Sequence, residues 1–166
     1  MKIFVKVGLT LLLCLYLIIL SKLILFKYLP MQEIINHFTF SYSAPYWNSH
    51  NFIPFKTIIF YLFLADININ IRVDNLIGNI IGFIPFGFIL PLLSKRLLSF
   101  KKITISTFCL SLTFELLQLL FHFGSFDVDD LILNTLGGVL GYLPIKLIYS
   151  FINYKQGQQK NSLSNT

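Results

Sequence analysis

The sequence predicts an all-α, polytopic membrane protein with four transmembrane helices. Of its 166 residues, 55% are apolar and only 12% are charged, and the mean hydropathy is +0.74. Soluble domains carry about 45–50% apolar and about 25% charged residues, so this composition excludes an ordinary soluble enzyme. Stretches of about 20 apolar residues can cross a bilayer. Four are present, at residues 3–26, 73–93, 103–122 and 131–151, and they make residues 1–154 a single membrane domain.

The first span, residues 3–26, is predicted to be an uncleaved anchor helix. It follows Lys2 and Lys6, as the apolar part of a signal peptide would. However, Lys22 and Lys27 lie at its end, and no cleavage site of small residues follows. The segment is therefore expected to remain in the membrane.

Residues 28–72 are predicted to form an extracytoplasmic loop. Prolines interrupt its first half, and its aromatic residues suit the headgroup level of a bilayer. Residues 57–65 are apolar but too few to cross, so an interfacial or re-entrant segment is expected there. The alternation of Ile and Asn in residues 67–71 favours a brief extended segment.

The distribution of charge predicts that both termini are cytoplasmic. With the N-terminus inside, eight basic and no acidic residues fall on the cytoplasmic side, whereas three basic and six acidic residues fall outside. This asymmetry follows the positive-inside rule. Residues 155–166 are polar and rich in Gln, Asn and Ser, so a disordered cytoplasmic tail is predicted. The net charge of +6 thus reflects topology, and no nucleic-acid partner is expected.

Polar residues inside three of the spans indicate a binding site. Ser111, Glu115, Gln118 and His122 recur at helical spacing on the third span and share one face. Polar and small residues repeat similarly at the starts of the second and fourth spans. Because polar groups facing lipid are costly, these stripes are expected to face one another around a polar pocket open to the outer leaflet. The candidate binding residues are Asn75, Asn79, Glu115, Gln118, Asp127, Asp129, Asp130 and Asn134.

The same residues have a structural interpretation. Asn75, Asn79, Glu115, Gln118 and Asn134 are expected to satisfy one another's hydrogen bonds, which would hold the helices together even without a ligand. The aspartates that precede the fourth span suit a helix cap. His122, at the end of the third span, suits the headgroup level.

Glycine and proline add helix-packing signals. Two Gly-x-x-x-Gly pairs, Gly78 with Gly82 and Gly137 with Gly141, have the spacing that lets helices approach closely. Prolines at positions 85 and 91 are expected to kink or end the second helix.

Four segments resemble the VanZ family. They are residues 51–58 (NFIPFKTI), 74–87 (DNLIGNIIGFIPFG), 111–118 (SLTFELLQ) and 127–138 (DVDDLILNTLGG). The last is the most specific, because its acids, Asn and Gly-Gly have the family's spacing. The resemblance implies a multi-pass protein of the bacterial plasma membrane. The family is named for low-level resistance to teicoplanin, a glycopeptide antibiotic that carries a lipid chain.

Three functions are compatible with these residues and this resemblance. In the first, the pocket engages a lipid-bearing glycopeptide or a lipid-linked cell-wall precursor and lowers susceptibility to the drug. In the second, the protein is a membrane-embedded enzyme acting on an envelope lipid or such a precursor. Its candidate catalytic residues are Glu115, Asp127 and Asp130, although the sequence lacks a nucleophile or metal motif. In the third, it is a small transporter or an assembly partner.

No cofactor and no metal site is indicated by the sequence. Cys14 and Cys109 each lie in an apolar run and predict neither a disulfide framework nor a zinc site. The expected partners are membrane lipids, the lipoglycopeptide or the precursor, and further copies of this chain.

Overall fold

Helices account for nearly all of the chain that the computed structural model describes, which is residues 3–25, 50–64, 68–121 and 124–164. The helices are α1 (Ile3–Leu25), α2 (Lys56–Ile59), α3 (Ile69–Leu93), α4 (Phe100–Phe121) and α5 (Val128–Ser164). A π-helical turn, Phe60–Leu64, continues α2, and a 3-10 turn, Lys95–Leu97, joins α3 to α4. Within these ranges α1, α3, α4 and Val128–Gln159 are long and apolar enough to span a membrane, so the predicted four-span, all-α class is confirmed.

α3 begins earlier than the sequence pattern predicts. The Oδ1 atom of Asn68 accepts a hydrogen bond from the Asn70 N–H at 3.0 Å, which caps the helix at Ile69. The extended segment predicted for residues 67–71 is therefore wrong from Ile69 onward, because a capped helix satisfies these backbone groups better than an isolated extended stretch does. Residues 69–72, which the predicted loop contained, consequently lie on α3.

α3 and α5 form the most extensive helix pair, and glycines bring their backbones together. A Cβ atom on Gly137 would lie 2.1 Å from the carbonyl oxygen of Ile80, and one on Gly141 would lie 2.0 Å from that of Ile84. No side chain fits at either position. This glycine pair therefore performs the close packing that its spacing predicts.

The other glycine pair, Gly78 and Gly82, does not bring helix backbones together. A Cβ atom on Gly78 would meet nothing within 4 Å, and one on Gly82 would contact only the Leu20 side chain at 3.6 Å. The α1 face of α3 is thus loosely packed near Gly78.

α4 turns its polar stripe toward the other helices. Thr107, Ser111, Glu115 and Gln118 are all buried on this helix, whereas most of its exposed side chains are apolar, Phe108, Leu116 and Leu120 among them. Next to the stripe, a Cβ atom on Gly138 of α5 would lie 2.2 Å from the Thr107 Oγ1 atom. The prediction that these polar groups face the helix bundle is correct for the described residues.

α1 is the most peripheral span, with Leu20 as its one buried residue. Leu20 packs in a small core with Phe83 and Phe114, and the hydroxyl of Tyr16 donates to the Gly82 carbonyl at 2.6 Å. These contacts fix the second half of α1 against α3 and α4.

One expectation about helix ends is corrected, since the predicted disordered tail instead prolongs α5 to Ser164. Pro85 and Pro91 lie inside α3, which ends at Leu93 as the predicted span does. The Lys and Gln residues of the tail are good helix formers, and a preceding helix removes the cost of nucleation. The side chains of residues 151–159 are exposed.

Candidate functional site

A polar cavity of about 130 Å³ lies beside the N-terminal end of α5. Residues of α1, α3, α4 and α5 line it, together with Thr57 and Tyr61 from the segment before α3. The complete lining is Leu23, Ile24, Thr57, Tyr61, Asn75, Leu76, Asn79, Gln118, Ser125, Asp127, Asp130 and Leu133. Polar groups from distant parts of the sequence therefore converge on one space.

Asp127 is the cap of α5 and the centre of a hydrogen-bond network. Its Oδ1 atom accepts from the backbone N–H of Asp129 at 2.8 Å, as a helix cap does. The same oxygen accepts from the Asn51 Nδ2 atom at 2.8 Å, and Oδ2 accepts from the Thr57 hydroxyl at 2.6 Å. Asn51 also donates to Thr57 Oγ1 at 2.9 Å. Asp127 thus joins α5 to the segment that contains α2.

The backbone reinforces this junction. The Asn51 N–H donates to the Phe126 carbonyl at 2.8 Å, and the Val128 N–H donates to the Asn51 carbonyl at 3.0 Å. These two bonds form a short parallel bridge between Asn51 and Asp127. The Phe126 N–H donates to His50 Nδ1 at 2.9 Å. Residues 50 and 51, before α2, are therefore hydrogen-bonded to residues 126 and 128 at the start of α5.

Asp129 is fully buried and binds the start of α2. Its carboxylate accepts hydrogen bonds from the backbone N–H groups of Phe55, Thr57 and Ile58, the last two at 2.7 and 3.1 Å. A buried carboxylate needs such donors, since an unsatisfied charge in a low-dielectric site is costly. Phe55 has φ of 66°, a left-handed conformation that is rare for an aromatic residue, and this bond holds it there. Asp129 therefore shapes the wall of the cavity without lining it.

Glu115, on α4, hydrogen-bonds to the backbone at the start of α5. Its side chain is 1% exposed, and Oε2 accepts from the Asp127 N–H at 2.9 Å. Nearby on α4, the Gln118 side chain donates to the Ile24 carbonyl at 3.1 Å, which ties α4 to the end of α1. Gln118 lines the cavity, whereas Glu115 lies behind Asp127.

The α3 side of the cavity carries two asparagines and faces Asp130. Asn79 Nδ2 donates to Asp130 Oδ1 at 2.5 Å, and Asn75 Nδ2 donates to the Ile71 carbonyl of its own helix at 2.8 Å. All three side chains are half-buried and line the cavity. Asp130 thus presents a carboxylate to the cavity at a position where part of its surface stays accessible.

Asn134 lies deeper in the bundle. It is 3% exposed, and its Nδ2 atom donates to the Ser111 hydroxyl at 2.8 Å. Its Oδ1 atom has no hydrogen-bond partner among the described residues. Asn134 therefore links α4 to α5 below the cavity and does not line it.

The structure separates the predicted site residues into two groups. Asn75, Asn79, Gln118, Asp127 and Asp130 come together around the cavity, whereas Glu115, Asp129 and Asn134 are buried outside it. The expected mutual pairing of the amides and Glu115 is wrong for these residues. Each bonds instead to a backbone group, a hydroxyl or an aspartate, because the helices place these partners nearer. His122 lies outside the described residues.

Several residues of the site were not predicted from the sequence. Asn51 and Thr57 hold Asp127, and Tyr61 and Ser125 line the cavity. The NFIPFKTI segment contains the first two, and its polar ends were the available signal. Their contacts with Asp127 and Asp129 could not be predicted, because 70 or more positions in the sequence separate the partners.

The chemistry available at the site is that of carboxylate, amide and hydroxyl groups. Within residues 3–25, 50–64, 68–121 and 124–164, no group of three His, Cys, Asp or Glu side chains is placed to hold a metal ion. The carboxylate of Asp130 and the amides of Asn75, Asn79 and Gln118 can instead bind a small polar or cationic group.

Comparisons with known proteins agree with the resemblance seen in the sequence. The sequence model of the VanZ/LLP1 family matches residues 13–152. A curated relative, Protein VanZ of Enterococcus faecium, is 36% identical over 149 residues, which are 90% of this chain and 78% of the relative. No solved structure matches the chain.

Proposed function

Because this chain belongs to the VanZ/LLP1 family, we propose that it lowers the susceptibility of a bacterial cell to glycopeptide antibiotics that carry a lipid chain, as teicoplanin does. It acts in the plasma membrane with both termini in the cytoplasm, which is the orientation that the charge distribution favours. In this orientation the N-terminal end of α5 and the cavity beside it face the outer leaflet, where such a drug meets the membrane.

The observation that carries the proposal is the polar cavity at the end of α5. Its polar lining includes Asp127, Asp130 and the amides of α3 and α4, all placed at one end of a membrane-spanning bundle. Polar groups in such a position mark binding sites by default, because packing alone would have favoured apolar residues. A ligand with a polar end and an apolar body suits a site at this depth.

The volume of the cavity limits what enters it. About 130 Å³ holds roughly four water-sized groups, at about 30 Å³ each. A glycosylated peptide scaffold is many times larger and stays outside. The cavity therefore binds the small polar end of a membrane amphiphile, and protection follows from the change this makes at the membrane surface.

Selectivity for lipid-bearing drugs follows from their weak membrane attachment. A single acyl chain gives marginal and reversible membrane binding, so the amount of drug near its target responds to modest changes at the surface. A glycopeptide without the chain does not depend on that attachment. Protection is therefore expected against the lipid-bearing drug and not against the other.

The experiment compares two acid-to-amide substitutions in a sensitive Gram-positive host. Asp130→Asn removes the carboxylate that faces the cavity, whereas Glu115→Gln makes the same acid-to-amide substitution behind it and keeps an oxygen for the Asp127 N–H. The minimum inhibitory concentrations of a lipid-bearing and a non-lipidated glycopeptide are measured, with membrane levels of each variant checked by immunoblot.

Wild type and Glu115→Gln are expected to protect against the lipid-bearing drug, and Asp130→Asn is expected to lose that protection. Wild type that protects against neither drug would contradict the proposal. Loss of protection in Glu115→Gln, at normal membrane levels, would favour the enzymatic alternative instead, since an amide cannot serve as a general acid or base.

A further inference from the structure

Beside the polar cavity lies a second, apolar cavity between α1 and α3. This cavity measures about 210 Å³, and it shares Leu23, Ile24 and Asn79 with the polar one. The rest of its lining is Leu20, Asp74, Gly78, Gly82 and Phe83. The loose packing at Gly78 is what leaves the space open. A polar compartment and an apolar compartment thus meet along one edge.

We propose that the two cavities form one binding site for a membrane lipid with an ammonium headgroup. The ammonium group lies in the polar cavity beside Asp130, and the first part of an acyl chain lies in the apolar cavity between α1 and α3. This inference rests on the proposed function, since it names the class of amphiphile that the same site binds.

Each volume suits one end of such a lipid, and the phosphate and glycerol that join the two ends lie outside both cavities. The polar cavity holds roughly four water-sized groups and the apolar cavity roughly seven, at about 30 Å³ each. An aminoethyl headgroup is within the first limit, whereas a sugar headgroup exceeds it. The second limit corresponds to part of an acyl chain, whose remainder continues into the surrounding lipid.

The charge of the lining selects the headgroup. The two linings contain three carboxylates, those of Asp74, Asp127 and Asp130, and among the described residues they contain no lysine or arginine. The cation is placed beside Asp130, because its half-buried carboxylate lines the polar cavity next to Asn79, a residue that the two cavities share. Carboxylates in a site partly shielded from water attract an ammonium group and repel an anionic headgroup.

The acyl chain contributes little to the binding affinity of the lipid and mainly sets its position. Moving a chain from surrounding lipid into an apolar groove changes its environment little, because lipid tails are as apolar as leucine side chains. The headgroup therefore determines selectivity, and the apolar cavity fixes the depth at which the headgroup enters. Blocking either compartment is expected to release the lipid.

The test uses the full-length protein purified into nanodiscs that contain equal amounts of phosphatidylethanolamine, phosphatidylcholine and phosphatidylglycerol. Native mass spectrometry then identifies the lipid that each variant retains. Wild type is expected to retain phosphatidylethanolamine, whose ammonium group keeps its three N–H donors. Asp130→Asn is expected to weaken this preference about tenfold or more, since a hydrogen bond to a charged group becomes one to a neutral group.

A matched pair of glycine substitutions tests the acyl-chain compartment. Gly78→Leu fills the apolar cavity, while Gly8→Leu makes the same change elsewhere on the bundle, where a Cβ atom also meets nothing within 4 Å. Gly78→Leu is expected to lose the lipid and Gly8→Leu to keep it. Both positions are open, so neither variant is expected to disturb folding.

Retention of phosphatidylglycerol or phosphatidylcholine to the same extent as phosphatidylethanolamine would overturn the inference. Unchanged retention in Gly78→Leu would overturn the placement of the chain. The susceptibility experiment separates this outcome from the proposed function. Protection without lipid selectivity refutes the lipid assignment alone, whereas lipid selectivity without protection refutes the resistance role and supports the lipid site.

Discussion

A Gly-x-x-x-Gly pair lies at each of two sides of α3, but the two sides pack in opposite ways. Toward α5, Gly137 and Gly141 bring backbones so close that no Cβ atom fits. Toward α1, Gly78 faces open space that belongs to a cavity of about 210 Å³. One side of the helix is a sealed interface, and the other is an open groove.

This difference shows that glycine has two uses within one bundle. Between α3 and α5 it allows close contact, which membrane helices need because no hydrophobic effect drives them together. Near α1 it leaves space that a side chain would fill. The sealed side holds the framework, and we infer that the open side serves binding. Substitutions on the sealed side should therefore lower stability, whereas substitutions on the open side should alter binding.

The largest effect is expected from adding one methyl group on the sealed side. Gly137→Ala places a Cβ atom 2.1 Å from the Ile80 carbonyl oxygen, so the helices must separate, at a cost of about 3 kcal/mol or more. Gly78→Ala makes the same change in open space and should stabilise α3 by up to about 1 kcal/mol. Thermal unfolding in detergent micelles measures both, and equal shifts in the two variants would contradict the comparison.

The next largest effect is expected at the buried aspartate. Asp129→Asn removes the charge and one of the two oxygens that accept from Phe55, Thr57 and Ile58, so a loss of about 2–3 kcal/mol is expected. Asp130→Asn, on the open side, keeps an oxygen for Asn79 and should cost about 1 kcal/mol or less. The same unfolding assay ranks the two. If Asp130→Asn were the more destabilising, Asp130 would be part of the framework.

A smaller effect is expected at Glu115. Glu115→Gln retains an acceptor for the Asp127 N–H, so a loss of no more than about 1 kcal/mol is expected. Glu115→Leu, which removes the acceptor and leaves the buried N–H unpaired, should cost more than Glu115→Gln in the same assay. Similar losses in the two variants would show that this hydrogen bond contributes little.

The smallest effect is expected at the exposed end of α5. Removing residues 155–166 deletes side chains that are exposed where the structure describes them, so stability should change by no more than about 0.5 kcal/mol. Protection against a lipid-bearing glycopeptide should be unchanged. A marked loss of either property would show that the end of α5 has a partner.

Hydropathy and helical spacing predict much of this architecture. The four spans and the inward direction of Ser111, Glu115 and Gln118 follow from apolar length and period, which depend only on neighbours in sequence. The start of α3 was missed because the cap at Asn68 outweighs the alternation of Ile and Asn that follows. The tail was missed because α5 provides the nucleus for its helix.

The partners within the site could not be predicted from the sequence. The bonds from Phe55, Thr57 and Ile58 to Asp129 join residues more than 70 positions apart, and no periodicity encodes them. The two glycine pairs have the same spacing, so only the neighbouring helices decide which pair is sealed and which is open. Five of the eight candidate residues line the cavity. Their spacing in the sequence does not show that Asp130 lines the cavity whereas Asp129 is buried outside it.

The most direct test of the central claim, that the open side of α3 is the working surface, is a susceptibility measurement on Gly78→Leu and Gly8→Leu. Both variants and wild type are expressed at matched membrane levels, and the protection against a lipid-bearing glycopeptide is divided by that against a non-lipidated one. Gly8→Leu is expected to keep the selective protection of wild type, and Gly78→Leu is expected to lose it. Full selective protection by Gly78→Leu would show that the open side of α3 is not the working surface.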